Sequence, residues 1–394
     1  MVELTRDEER ILSGEKGEWL AKAMQTVVKV AEVLEADRLV KISSAHISGI
    51  SYKNLGLEGV EFIEKISGNG LGFSVTTTLN PAGFDIINYR DMGVSDEIYS
   101  LQLRVLKAFK RMGARVTLTC TPYLYSPPRF GEHLAWAESN AVLYANSMLG
   151  ARTNREGGPL ALLEAIVGRA PHTGLHTTEG RLPTISVDLS EVKREVERRG
   201  WYSLLGYVIG DLIKSGVPVL LNPPVGLREP KLQRLFLSAV GASSSVGLLL
   251  IEGVSPEFKP SREVEAIRLG VKDLQEAASK WNVEESDAIV LGCPHLSPSE
   301  LTELYTRIKG RRVKCQAIFF TSRSCISKVP WVVQKLRESG IKIYADTCMV
   351  VCDLRRMGIF SCSTDSAKAA YYLSSQGYSV SLIPREVLID NILS

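Results

Sequence analysis

The chain has 394 residues, of which 45% are hydrophobic and 23% are charged. This composition is typical of a folded globular protein of about two or three domains and excludes a mostly disordered chain. The 47 basic residues outnumber the 44 acidic ones by only three, which is too small a surplus to indicate a nucleic-acid or membrane-surface partner. The acidic amino terminus resembles no targeting signal, and the longest uncharged stretch, 235–251, is shorter than a membrane span. We therefore expect a cytoplasmic protein without a membrane segment.

The amino-terminal part has the pattern of an α/β protein. Thr5 followed by acidic residues predicts a helix start, and 17–34 has apolar residues at helical spacing. Three apolar runs that end in polar turns predict strands, at 38–49, 70–85 and 114–124. Helices are predicted between these strands, at 57–68 and 96–113. The segment 131–170 has helical periodicity with polar residues among apolar ones, which indicates helices that line a polar cavity or pack with satisfied polar groups.

The rest of the chain continues the alternation of strands and helices. From residue 287 the rhythm is regular, with strands predicted at 287–297, 313–323, 341–351 and 378–383. The pattern predicts several doubly wound, three-layer α/β units. We expect three regions, which comprise residues 1–185, 186–285 and 286–394.

The seven cysteines are the first candidates for chemistry. Six follow residue 290, and no CxxC pair occurs, so neither a zinc ribbon nor a thioredoxin-like site is indicated. Ligands of α/β sheets bind beyond the carboxyl ends of strands. Cys120, Cys293 and Cys348 each close a predicted strand, and three thiolates with one open position suit an iron–sulfur cluster or a single iron or zinc ion. Scattered buried thiols are also commonly inert.

Other residues remain open on sequence alone. Cys315 and Cys325 have the setting of ordinary thiols, whereas Cys352 and Cys362 are reserve ligands. Small and basic residues in three loops suit an anion: Ser48–Ser51 with Lys53, Thr76–Thr78 with Asn80 and Pro81, and Arg152–Gly158. Lys368 lies at the start of a predicted helix. His46 and His295 lie at the ends of predicted strands, where each could be a proton donor, a hydrogen-bond partner or a structural residue. The nucleotide-binding patterns GxxxxGK[ST] and GxGxxG do not occur.

Several strings of the sequence resemble the catalytic component of the aconitase X family. They are AHISGISY, TLNPAGFD, LTCTPY, FGEHLAWAESNAVLYANSMLGARTNREGGP, GCPHLS, DTCMVV and TDSAKAAYY, which span residues 45–372. The resemblance implies α/β units arranged as in domains 1 to 3 of aconitase. It implies a hydro-lyase whose iron centre is held by Cys120, Cys293 and Cys348, either a 4Fe-4S cluster or, alternatively, a 2Fe-2S cluster or mononuclear iron.

The same resemblance implies a substrate site. Its lining is expected to comprise Gly49, Ile50, Ser51, Asn80, Pro81, Glu138, Ser139 and Lys368. No catalytic base is assigned in this chain. By analogy with aconitase the base would be a serine of a small partner subunit, and His46 and Lys53 are the candidates here.

Family members divide by substrate and by construction. Bacterial forms resemble cis-3-hydroxyproline dehydratases, many with a fused small swivelling domain, whereas archaeal forms resemble phosphomevalonate dehydratase with separate large and small subunits. This chain resembles the separate large subunit. We expect it to convert (R)-5-phosphomevalonate to trans-anhydromevalonate 5-phosphate in an archaeal mevalonate pathway, because basic groups outnumber acidic ones in the predicted loops. The alternatives are cis-3-hydroxy-L-proline dehydration and a non-catalytic metal-binding scaffold.

Overall fold

Parallel sheets flanked by helices organise the computed structural model of the chain, which describes residues 2–259, 264–283 and 285–393. Three sheets, of three, four and five strands, are parallel, and one antiparallel strand pair accompanies them. The predicted α/β class is therefore confirmed. In the part of the chain that is described, no helix is both long and apolar enough to cross a membrane.

The first region contains six α-helices and five strands among its described residues. In chain order they are α1 (Arg6–Leu12), α2 (Glu18–Val33), β1 (Leu39–Lys41), β2 (Ser44–Ile47), α3 (Tyr52–Gly68), β3 (Thr76–Leu79), α4 (Asp96–Arg111), β4 (Leu134–Trp136), α5 (Ser139–Leu149), α6 (Gly158–Val167) and β5 (Arg169–Pro171). Thr5 caps α1 in a capping box with Glu8, as the sequence predicts a helix start there. The parallel sheet has the order β3-β2-β4, and β1 pairs with β5.

Two predictions for this region are wrong in detail. The stretch 114–124 is not a strand, because only Arg115 forms a bridge, to Thr78, and the next N–H of β3, that of Leu79, donates to the Thr117 side chain instead of to a backbone carbonyl. The segment 131–170 is not helical throughout, since it contains β4 and two connecting loops. The three residues of β4 are all buried, and a run this short has no periodicity that separates strand from helix.

The middle region forms the four-stranded sheet. Its elements are β6 (Ile185–Asp188), α7 (Lys193–Arg199), α8 (Tyr202–Ile213), β7 (Pro218–Leu221), α9 (Pro230–Ser243), β8 (Leu250–Ile251), β9 (Ala266–Arg268) and α10 (Val271–Ser279). The sheet order is β8-β7-β6-β9. The uncharged stretch 235–251 forms most of α9, the loop after it and β8, and nearly all of its apolar residues are buried, as a core segment should be.

The last region forms the five-stranded sheet. Its elements are β10 (Ala288–Leu296), α11 (Pro298–Ile308), β11 (Ala317–Thr321), α12 (Arg323–Lys328), α13 (Pro330–Glu338), β12 (Lys342–Tyr344), β13 (Ser361–Thr364), α14 (Ala367–Ser375), β14 (Ser379–Leu382) and α15 (Arg385–Leu393). The order is β12-β11-β10-β13-β14. The sequence did not predict β13, whose four residues SCST are small and carry no apolar alternation.

The order of the strands determines where loops can converge. In the three-stranded sheet the chain begins at central β2, adds β3 on one side and then crosses to β4 on the other. In the five-stranded sheet it begins at β10, adds β11 and β12, and crosses to β13. A crevice opens at such a crossing, beyond the carboxyl ends of the two strands. The crevices are therefore expected between the loops after β2 and β4 and between the loops after β10 and β13.

Candidate active site

The first crevice is lined by loops that the sequence had marked as polar. After β2, Gly49 has a φ of +77°, which favours glycine, and the carbonyl of buried Ile50 accepts a hydrogen bond from the Gln102 amide at 3.0 Å. After β3, the Asn80 N–H donates to the Ile47 carbonyl at 2.9 Å. After β4, the Glu138 carboxylate caps α5 by accepting a hydrogen bond from Ala141 N–H at 2.8 Å. Each loop is thus fixed by the element beside it.

The second crevice carries Cys293 and Lys368. Regular pairing of β10 with β11 stops at Leu291, and the register shifts before Leu296. Cys293 therefore lies inside β10, at this irregularity. The prediction that Cys293 ends the strand is wrong, although the regular pairing does end just before it. Gly292 makes the irregularity possible, because its φ is +108° and a Cβ there would lie 2.1 Å from the Phe320 carbonyl oxygen. After β13, Ser366 caps α14, in which Lys368 is the second residue.

An ion pair joins the two crevices. The Lys368 ammonium nitrogen lies 2.5 Å from Glu138 Oε1 and 3.2 Å from Ser139 Oγ. Burial opposes both charges, yet Lys368 holds the pKa of Glu138 below its usual value, and Glu138 raises the pKa of Lys368. The amino ends of α5 and α14 meet at this pair, and helix amino ends favour anions. The meeting point is therefore suited to an anionic substrate.

Three thiols accompany this ion pair. Cys120, Cys293 and Cys348 are all buried. Burial raises the pKa of each thiol, that of Cys293 to about 12, and the proximity of Cys348 raises the pKa of the other two further. The Lys368 ammonium acts in the opposite direction on all three. Three neighbouring buried thiols would lose their protons only to a cationic partner such as a metal centre.

The donor set fits an iron–sulfur cluster. In the described residues no three His, Cys, Asp or Glu side chains meet closely enough to hold one metal ion. A single ion needs its donors about 2.0–2.3 Å from one point, whereas the cysteines of a cluster bind separate iron atoms and need not meet. Three thiolates would also leave one iron open to substrate. These residues are therefore suited to hold a cluster.

The reserve thiols occupy different places. The Cys352 N–H donates to the Cys348 carbonyl at 3.0 Å, and the two thiols interact. Cys362 instead lies in β13 opposite Ala288, at the amino end of β10. At about 3.3 Å per residue, the five residues from Ala288 to Cys293 span roughly 16 Å along the strand. Cys325 is buried in a separate core and Cys315 is exposed.

The structure does not bring all predicted cations and bases together. Lys53 is exposed and its ammonium contacts Gln376 Oε1 at 3.4 Å. Arg152 donates to the His176 carbonyl, and Arg155 donates to the Gly241 carbonyl. His46 is fully buried, and burial lowers its pKa to about 4. Of the predicted loop cations, Lys368 alone hydrogen-bonds to predicted substrate residues in the described chain.

Two groups of buried residues position these loops, of which the sequence indicated only His295, as a proton donor or structural group. Buried Asp85 accepts hydrogen bonds from Ala345 N–H at 2.8 Å and from Arg323 at 2.7 Å, and Arg323 also pairs with Asp346. This group ties the loop after β3 to the loop that carries Cys348. His295 forms the second group, with hydrogen bonds to the loops of Cys120 and Cys348. The partners are far apart in sequence, so no local pattern could have revealed them.

Models of one family match almost the whole chain. The model described as the aconitase X first domain matches residues 1–179, the second domain matches residues 183–279 and the third domain matches residues 286–394. A crystal structure of aconitase X from Thermococcus kodakaraensis, in its holo-form, superposes with a TM-score of 0.90 at 37% identity. The match covers 99% of this chain and 100% of that one.

Curated relatives fall into two groups by name. Phosphomevalonate dehydratase large subunits from Thermococcus kodakarensis and Methanocaldococcus jannaschii are 39% and 38% identical, with 98% and 95% of their lengths matched. These matches cover 98% and 94% of this chain. A cis-3-hydroxy-L-proline dehydratase from Pseudomonas aeruginosa is 32% identical over 93% of this chain and 65% of that enzyme. Both groups are named as dehydratases, and both align along nearly all of this chain.

Proposed function

The chain belongs to the aconitase X family of hydro-lyases, and we propose that it is a large subunit that dehydrates (R)-5-phosphomevalonate to trans-anhydromevalonate 5-phosphate. The five relatives named phosphomevalonate dehydratase large subunit are 38–39% identical to it, against 32% for the two hydroxyproline dehydratases. The reaction belongs to a mevalonate pathway, which we propose to be archaeal. The alternative of a non-catalytic scaffold is wrong, since the family is one of dehydratases.

The observation that carries the proposal is the buried Glu138–Lys368 pair beside three buried thiols. It combines an ammonium group and two helix amino ends, which can contact an anion, with donors for a metal centre, at the crossing points of two parallel sheets. We propose that Gly49, Ile50, Ser51, Asn80, Pro81, Glu138, Ser139 and Lys368 line the substrate pocket. We also propose Cys120, Cys293 and Cys348 as the ligands of a 4Fe-4S cluster.

The chemistry requires loss of a C2 proton and of the C3 hydroxyl, which leave together as water when the C2–C3 double bond forms. A bound cluster would supply an electrophilic iron for the hydroxyl and a carboxylate oxygen. The chain supplies the electrostatic setting: Lys368 and the amino ends of α5 and α14 stabilise negative charge on the substrate carboxylate as the C2 proton leaves. Glu138 holds the ammonium in place, and its carboxylate is itself fixed by Ala141 N–H.

Substrate selectivity tests the proposal. We expect the complex of this chain with its small subunit, purified without oxygen, to dehydrate 5-phosphomevalonate far faster than unphosphorylated mevalonate or cis-3-hydroxyproline. Losing one charge-assisted contact costs about 1.5–3 kcal/mol, or roughly ten- to hundredfold in kcat/KM. Equal kcat/KM values for phosphorylated and unphosphorylated mevalonate would contradict it. A preference for cis-3-hydroxyproline would assign the chain to the second group of relatives.

A further inference from the structure

His295 lies between two of the three thiol loops. Its side chain is fully buried. The ring atom Nε2 lies 2.8 Å from the Thr347 carbonyl oxygen, and Nδ1 lies 3.2 Å from Thr119 Oγ1. Thr347 immediately precedes Cys348, and Thr119 immediately precedes Cys120. One imidazole therefore links two loops whose cysteines are more than 200 residues apart, and Cys293 lies two residues before it on its own strand.

The partner of one ring nitrogen fixes the direction of its hydrogen bond. A carbonyl oxygen only accepts, so Nε2 must carry the hydrogen that bonds to Thr347. Nδ1 shares its hydrogen bond with the Thr119 hydroxyl, whose oxygen also accepts from Thr121 N–H at 3.2 Å and lies 3.0 Å from Thr121 Oγ1. Each ring nitrogen is therefore bonded to one of the two loops, Nε2 to Thr347 and Nδ1 to Thr119.

The backbone of the same residue contacts a thiol directly. The His295 N–H donates to Cys120 Sγ at 3.3 Å, and the His295 carbonyl accepts from buried Arg234 at 3.1 Å. A hydrogen bond to a ligand sulfur changes the reduction potential of an iron–sulfur centre. Outer residues that orient metal ligands typically change metal affinity ten- to hundredfold when they are replaced.

We propose that His295 is a positioning residue that fixes the separation of Cys120 and Cys348 and orients the Cys120 sulfur toward the cluster. This inference rests on the proposed iron–sulfur centre. His295 has no role in proton transfer to substrate, because both of its ring nitrogens are engaged with the protein. Its function is to keep the three thiols in the arrangement that retains iron, whether or not substrate is bound.

The test compares anaerobically purified complexes of wild type, His295→Gln, His295→Leu and Thr119→Val. We measure iron and sulfide content, the rate of iron loss to a chelator, the midpoint potential and the unfolding temperature. We expect His295→Leu to lose iron at least tenfold faster than wild type with a shifted potential. The rate of iron loss from Thr119→Val should lie between those of wild type and His295→Leu. His295→Gln should lose iron more slowly than His295→Leu, because its amide can donate to the Thr347 carbonyl. His176→Gln is the matched control, since His176 is also buried and bonded to one histidine, His133.

The outcomes separate this role from general stability. A purely structural histidine would lower the unfolding temperature in the His176 and His295 variants alike and leave iron loss and potential unchanged, which would overturn the proposal. If His295→Leu fails to fold, Thr119→Val decides alone, and wild-type retention and potential in that variant would overturn it. A wild-type complex without iron or sulfide would overturn the proposed cluster, and the positioning role with it.

Discussion

Cys348 and Cys352 differ in what surrounds their thiols, although both are buried and adjacent. The thiol of Cys348 interacts with those of Cys120 and Cys293 and with Lys368. Cys352 instead lines a cavity of about 230 Å³ whose walls include Lys53 and Tyr52. The Cys352 thiol interacts with that of Cys348 and with Lys53. These surroundings favour Cys348 as the third ligand.

Cysteine substitutions test this choice. We expect Cys348→Ser to abolish stoichiometric iron and sulfide, because two thiolates cannot hold the cluster, whereas Cys352→Ser should keep both. The matched measurement is iron and sulfide content after anaerobic purification, together with the brown colour of the cluster. Retention of the cluster in Cys348→Ser and its loss in Cys352→Ser would reverse the assignment.

At the residue scale the sequence indicated which loops matter but not how their side chains pair. The contact between Glu138, Ser139 and Lys368 joins two regions 230 residues apart, and no local pattern predicts it. The predicted loop cations differ in their surroundings, because Arg152 donates to the His176 carbonyl, whereas Arg155 donates to the Gly241 carbonyl and also interacts with Glu138. An arginine in a polar loop has the same appearance in sequence whether it binds substrate or holds the chain. That the residues of the predicted set bind substrate stays a prediction.

A buried network of four charges connects α14 with the end of β10. Arg385 bonds to Glu300 at 2.7 Å and to Asp365 at 2.5 Å, and Arg234 pairs with Glu300 while donating to the His295 carbonyl. Burial opposes the Glu300 charge, yet Arg234 and Arg385 hold its pKa far below the usual value. Glu300 has a pKa of about 4.5 in the unfolded chain, and above that pH its charge contributes fully to the stability of the fold. This contribution is lost as the pH falls towards the lower pKa of the folded state. The network holds the residues before Lys368.

Breaking this network should cost far more than breaking a surface pair. We expect Arg385→Met to lower the free energy of unfolding by about 3–5 kcal/mol, because it leaves two buried carboxylates without a shared partner. The control is Arg307→Met, which removes exposed pairs with Glu386 and Asp390 and should cost at most about 1 kcal/mol. Urea denaturation measures both. Equal losses in the two variants would show that the buried network does not hold α14 as argued.

At the scale of elements, amphipathic helices and apolar strands were predictable, whereas short elements were not. Helix α4 has acids in its first turn and Gly113 just past its end, and its bounds lie within two residues of the prediction. The wrong strand at 114–124 has the apolar alternation of a strand, but the Thr117 side chain takes the hydrogen bond of Leu79 N–H that a strand backbone would accept. The sequence did not predict strand β13, because its small residues carry no strand pattern and its pairing with β10 and β14 holds it in the sheet. Tertiary context overrides propensity in both cases.

At the scale of the molecule, α9 of the middle region supports both halves of the site. It packs against α5, which begins beside Glu138, and against α14, which carries Lys368. The approach to α5 is close, since a Cβ at Gly241 would lie 3.2 Å from Ser139 Cβ. One hydrophobic core also contains residues of all three predicted regions, among them Phe84, Phe236 and Ile318. The division at residues 185 and 285 stays a prediction, and the core indicates that such regions would depend on one another for stability.

None of the four residues Lys368, Glu138, His46 and His295 is an obvious base for the C2 proton. Lys368 and Glu138 neutralise each other, while burial lowers the pKa of His46 and of His295 to about 4 and both rings are hydrogen-bonded. A base that removes the C2 proton must be near substrate and free to accept it. We therefore propose that a separate small swivelling subunit supplies this base, in keeping with relatives named as large subunits.

The purified chain should accordingly be inactive alone and gain dehydratase activity when its small subunit is added. Activity should rise with added partner until the two are equimolar, because each crevice needs one base. Iron and sulfide content are measured in the same samples, so that loss of the cluster is not mistaken for lack of the partner. Full turnover by the iron-loaded chain alone would contradict the prediction and place the base in this chain, where Lys53, exposed at the edge of the loop after β2, would be the first residue to replace.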